Sequence, residues 1–176
     1  MVNAETKLKI YMLITSRYKK IISEKEEKTI AEIRARCSPH QEFVRNLKEK
    51  IIPSKTSQSF LSQVEIILSY AHSIENFELL LTFWMEFQEI DTIKAAHPMD
   101  KAVLLTALLR SLDCDTAFVY VTKNSKPYVG FETGNKRYII TVENGSLLSW
   151  NDAQVFFQSD PIAYRFNDLS YESYDL

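Results

Sequence analysis

Apolar side chains recur every three or four positions through the first part of the chain. Leu8, Tyr11, Tyr18 and Ile22 form one stripe together with Thr15, and Ile30 and Ile33 resume it. That spacing predicts helix from about residue 4 to residue 35. Residues 23–28 interrupt the stripe and are nearly all charged, with Glu24 and Lys28 four apart as a helical ion pair. The stretch is therefore either the solvated middle of one helix or the break between two. Ser38 and Pro39 read as the cap and first turn of another helix, with Phe43, Val44, Leu47 and Ile51 on its inner side. Pro53 and the polar run after it end that helix. A further helix is predicted over residues 59–72, where Leu61, Val64, Ile67, Leu68 and Ala71 align. Residues 77–93, with Trp84 among them, are rich in large apolar groups and predict a partly helical stretch. From Pro98 to Leu112 the apolar residues Val103, Leu104, Leu105, Ala107, Leu108, Leu109 and Leu112 cover more than one face. Such a helix is expected to be enclosed by the rest of the fold.

After Leu112 the period changes. Residues 116–122, 128–132 and 137–142 are β-branched and aromatic, with turn residues Asn124-Ser125 and Gly134-Asn135 between them. They predict an antiparallel meander, with residues 147–150 as a fourth strand and a short helix over 152–157. Tyr164 to Asp168, after Asp160-Pro161, read as a terminal segment closing the sheet rather than an exposed motif. The fold class is α+β: helices first, then a meander packed on the central buried helix. Residues 1–55 are expected to be a helical extension of a core spanning 56–170, and residues 171–176 a frayed tail.

Composition bounds the function more than the fold. At 176 residues, 45% hydrophobic and 12% aromatic, the chain has enough core for one domain without a disulfide or metal. Charge is uneven: residues 1–55 carry 13 Lys/Arg against 7 Asp/Glu, and residues 56–176 carry 8 against 16. A basic arm offers nucleic-acid contact, yet its cations interleave with Glu24, Glu26, Glu27 and Glu32. Packing on the acidic half, or plain solvation, is the reading we favour, and nucleic acid is disfavoured as a partner. The opening residues lack an apolar signal segment, and no stretch approaches the ~20 apolar residues of a bilayer span. With Cys37 and Cys114 far apart in sequence, reduced thiols and a cytoplasmic location are expected.

Chemistry concentrates at the start of the central helix. The run from Ala96 and His97 through Pro98, Met99, Asp100, Lys101 and Ala102 to Leu104-Leu105, then Leu108-Leu109-Arg110-Ser111-Leu112, resembles the transglutaminase-like family. Members open a buried leucine-rich helix with a G-x-C-x-D-x-A motif, as in GDCEDKA followed by LLxxLLRxLG. The resemblance implies a thiol at the helix N-terminus, where the dipole favours thiolate, and a histidine base with its orienting acid on following strands. In the frame set by Asp100 and Ala102, the cysteine position holds Pro98. The strand pattern H-A-W-V-E is nearest to Lys126-Pro127-Tyr128-Val129-Gly130, so Lys126 stands at the histidine position and Thr141 near the acid's. His40, His72 and His97 all precede Cys114, so a thiol on the helix followed by a strand histidine cannot be assembled there.

The resemblance therefore implies the fold and argues against the activity. The leading expectation is a catalytically inactive binding or assembly module. Its vestigial groove, formed by His97, Pro98, Asp100, Lys126 and Tyr128, would take a peptide or protein partner. A hydrolase or transferase using residues outside the family pattern is the alternative, with Asp100 and Lys126 its polar remnants. Nucleic-acid contact through the basic helices is a third. Cys37 falls near a helix C-terminus, the wrong dipole end for a thiolate, and Cys114 lies between Asp113 and Asp115. The histidines and cysteines lack structural-zinc spacings, and no glycine precedes Gly130 to build a phosphate loop. No cofactor is expected.

Overall fold

The computed structural model describes residues 3–24, 28–52, 59–77 and 84–174. Helix α1 runs Ala4–Glu24 and α2 runs Ile30–Ala35, so the amino-terminal stripe belongs to two helices. A capping box starts α2: Glu32 N–H donates to Thr29 Oγ1, and Thr29 N–H donates to the Glu32 carboxylate at 2.6 Å. Helix α3 (Glu42–Ile51) begins three residues later than Ser38-Pro39 predicts, with Gln41 as its N-cap, and buries Val44 and Leu47. Helix α4 (Phe60–His72) is capped by Ser59 and turns Val64, Ile67, Leu68 and Ala71 inward. Of residues 77–93, the short helix α5 (Phe87–Ile93) is described, and residues 78–83 lie outside the described residues.

Two short strands brace the central helix. β1 (Glu75–Asn76) pairs in parallel with β2 (Ala95–Ala96), and Lys94, in the left-handed region at φ 55°, makes the turn from α5 into β2. Helix α6 (Pro98–Arg110) follows, and every residue from Asp100 to Arg110 is buried. It stops two residues before Leu112, with Ser111 as C-cap. Burial extends to Lys101, whose ammonium donates to the Ile74 carbonyl at 2.9 Å and to Asn76 Oδ1 at 3.3 Å. Loss of solvation pulls its pKa down to about 8. Lys101 thus ties α6 to β1. Leu105→Ala and Leu108→Ala should each cost about 2–5 kcal/mol in denaturant melts. Losses under about 1 kcal/mol for both would mean that α6 is not the packed centre.

Strands β3 (Phe118–Thr122), β4 (Pro127–Thr133), β5 (Lys136–Thr141) and β6 (Ser146–Ser149) form the expected meander. Helix α7 (Trp150–Ser159) leads to β7 (Ile162–Phe166) and β8 (Tyr171–Ser173). Among the described residues the sheet has six strands, ordered β6-β5-β4-β3-β7-β8, with every neighbouring pair antiparallel. Residues 164–166 of the segment read as closing the sheet pair with β3, but 167–168 belong to the turn into β8, which is the edge strand. The tail is corrected in part: Tyr171 to Ser173 pair with β7, because the Asn167 side chain accepts from Leu169 and Ser170 N–H and sets the turn. Alternation sorts the two faces. Val119, Val121, Val129, Phe131, Ile140 and Phe166 join the core with α6, while Phe118, Tyr120, Tyr128 and Ile139 pack with α7 residues on the other face. Gly130 lies under that second layer, where an added Cβ would stand 2.5 Å from Tyr120 Cε2.

Candidate functional site

Local chemistry starts α6 at His97. The His97 Nδ1 accepts from Met99 N–H at 3.3 Å as N-cap, Pro98 supplies a first helical residue that needs no donor, and Asp100 puts an acid in the first turn. Asp100 is buried and accepts from Arg36 Nη1 at 3.1 Å and from Met85 N–H at 3.3 Å. Burial pushes its carboxyl up to about 6, against the pull of Arg36. Arg36, the C-cap of α2, also donates to the Met85 carbonyl and lies over the Trp84 and Phe87 rings, 5.2 and 5.0 Å from their centroids. The pair locks α2 and the Trp84–Phe87 segment onto the start of α6.

A cavity of about 660 Å³ opens at this helix N-terminus. One wall is helical, formed by Ile30, Ile33 and Arg34 of α2 with His97, Met99 and Asp100. The opposite wall is aromatic, from Tyr164 and Phe166 of β7 and Tyr171 of β8. Tyr164 stacks between the other two, with ring centroids 6.3 Å from Phe166 and 5.8 Å from Tyr171. Arg34 is half-buried; its Nε donates to the Asn167 carbonyl at 3.1 Å and its Nη2 to the Asp168 carbonyl at 3.2 Å.

His97 and Asp100 line this cavity, with Pro98 between them in the chain. Lys126 and Tyr128 are not among its lining residues, which corrects the expected groove. Tyr128 lies on the face of the sheet away from α6, its ring centroid 5.2 Å from that of Phe157 and 6.3 Å from that of Phe156. Lys126 is exposed in the turn between β3 and β4, its backbone paired with Thr122. The reason is parity. Val129 and Phe131 face α6, so a frame that aligns Lys126 with Tyr128 follows the opposite face. Arg34, Ile33, Tyr164 and Phe166 were missed as site residues. Their signals, a basic stretch and a closing strand, carry no mark of a shared cavity.

Neither thiol lines this cavity. Cys37 is fully buried just after α2, and burial, reinforced by Asp168, pushes its thiol up to about 12. Cys114 lies beyond the far end of α6, whose 13 residues span about 20 Å. Burial raises its pKa too, against the hydroxyl of Thr116. Iodoacetamide near neutral pH should leave Cys37 unmodified in the folded chain and modify Cys114 slowly. A thiol that reacts quickly with an apparent pKa below ~6 would overturn this assignment. His72 Nε2 lies 2.8 Å from the Asn144 carbonyl, and His40 is exposed. Among the described residues, no three His, Cys, Asp or Glu side chains are grouped to hold a metal ion. No helix among them is long and apolar enough to cross a membrane.

The buried leucine-rich helix, the antiparallel sheet after it and the cavity at the helix N-terminus make an α+β architecture, and its likeness to a solved structure shows the transglutaminase-like fold. A solved structure with this architecture, Legionella pneumophila LapG, matches at a TM-score of 0.57 and 13% sequence identity. The match covers 83% of this chain and 88% of LapG. At that identity the likeness establishes the fold alone. No protein-family model and no curated protein matches the sequence.

Proposed function

We propose that this chain is a non-catalytic transglutaminase-like domain that binds a peptide or protein partner in the cavity beside α6. The observation that carries the reading is the start of α6, where Pro98 stands in the frame's thiol position while the space next to it stays open. Proline has no nucleophile, and both cysteines are buried and outside the cavity lining. The alternative enzyme reading would need Asp100 and Lys126 to act together. Asp100 is committed to Arg36, and Lys126 is exposed and not itself a lining residue, although Ser125 beside it is. Nucleic-acid binding is weakened by the internal roles of the amino-terminal arginines. Arg17 pairs with Glu89 at 2.5 Å, Arg36 with Asp100, and Arg34 tethers the turn before β8. On this reading the chain works in a reducing cytoplasm, its thiols unpaired.

Phage-displayed peptides panned on the chain test the proposal. Ile30 is 60% exposed at the cavity's edge, so Ile30→Trp can narrow the opening with little effect on the core. Enrichment of a peptide motif that this variant abolishes, with the bound peptides recovered intact, is the expected result. Cleavage or transamidation of those peptides, or enrichment indifferent to Ile30→Trp, would overturn it.

A further inference from the structure

We infer that the occupant of this cavity is an extended peptide that adds a strand alongside β8 and places an acidic side chain against Arg34. The inference rests on the binding role proposed above and names its ligand. β8 is the last strand of the sheet, and Tyr171, Glu172 and Ser173 are all exposed. Tyr171 pairs with Phe166 in register, and both line the cavity together with Tyr164. A strand added beside β8 would continue that row, so its residue next to Tyr171 falls on the same face of the sheet. Residues two apart in such a peptide share that face. One can lie against the aromatic wall while the other reaches Arg34.

Charge selects the acid. Among the described residues Asp100 is ion-paired to Arg36, while Asp168 and Asp115 share the single cation of Arg110. Arg34 has no such partner. Two of its nitrogens donate to carbonyl oxygens, and Nη1 has no hydrogen-bond partner among the described residues. Thr106 Oγ1 is the buried side-chain polar atom left unpaired among those residues, so the open Nη1 remains in reach of solvent. The two carbonyl bonds hold the guanidinium in place before a ligand arrives, which lowers the ordering cost of a charge-assisted bond. Arg34 is therefore a lining cation with no carboxylate at ion-pair distance among the described residues. A neutral apolar segment would leave that cation without an ionic partner in the complex.

Fluorescence anisotropy with two labelled peptides tests the assignment: acetyl-Val-Glu-Thr-Phe-Thr-Val-amide and its twin with Gln for Glu. The Glu peptide is expected to bind about tenfold more tightly, the scale of one charge-assisted hydrogen bond. High salt and Arg34→Gln should each bring the ratio towards one, and Arg34→Lys should keep part of it. Because Arg34 also tethers the Asn167-Asp168 turn, a second variant leaves the tether intact. Ile30→Glu, at the exposed rim, should weaken the Glu peptide more than the Gln peptide. Equal affinities for the two peptides, both still reduced by Ile30→Trp, would overturn the acidic ligand and leave binding at the cavity standing. Affinities unaffected by Ile30→Trp would remove the cavity itself as the site. Failure of both peptides to bind would overturn the inferred ligand class, while panning decides the broader reading.

Discussion

Asp100→Ala is expected to cost about 3–5 kcal/mol of folding stability near neutral pH, and Asp100→Asn no more than about half of that. Alanine leaves Arg36, whose side chain is mostly shielded and lies against two aromatic rings, without its carboxylate, and leaves Met85 N–H without that acceptor. Asparagine keeps an acceptor for Met85 and removes a charge whose burial is itself unfavourable. The pH dependence separates these effects. The folded carboxyl is raised to about 6 from an ordinary 3.8, so between those values the folded chain binds more protons than the unfolded one. Stability from this group is fully present below about pH 4 and is lost as pH rises through about 6. The stability of Asp100→Asn relative to the native chain should therefore rise across that window. Urea melts at several pH values check it, and a difference that stays flat from pH 4 to 6 would contradict the raised pKa.

What was legible in the sequence follows from how locally each feature is encoded. Pro98, the enclosed leucines and the change of period after Leu112 lie within a few residues of the structure they determine, and helix, strands and fold class follow from them. Thr29 and Glu32 encode the start of α2 equally locally, although the charged run 23–28 just before them obscures the capping box. The site is a different matter. Arg36 meets Asp100 across 64 positions, and Arg34 meets Asn167 across 133. Nothing in the spacing of a basic stretch announces such partners. The helix end of the site was readable for that reason, and its aromatic wall was not. Tyr128 illustrates a further loss. A strand motif aligned by residue type carries no record of which face points to α6, and one step of register reverses it.

The carboxy-terminal strands hang on Arg110, and Arg110→Ala is expected to cost about 3–5 kcal/mol. The guanidinium is buried at the last turn of α6, with Nε donating to Asp168 Oδ1 at 2.7 Å, Nη2 to Asp168 Oδ2 at 3.3 Å and Nη1 to Asp115. Asp168 is mostly buried, so removing the cation leaves a carboxylate with poor access to water. Arg110→Lys keeps the charge but cannot match both oxygens of Asp168 at once, and should recover part of the loss. The consequence reaches the cavity. Asp168 receives Arg110 on its carboxylate and Arg34 on its carbonyl, and the adjacent Asn167 sets the turn into β8. Arg110→Ala should therefore speed hydrogen exchange at the β8 amides more than at β4 or β5. It should also weaken peptide capture, although Arg110 is not among the cavity's lining residues. Exchange accelerated uniformly over the sheet would mean that Arg110 stabilises the fold as a whole and does not specifically hold the wall that faces α2.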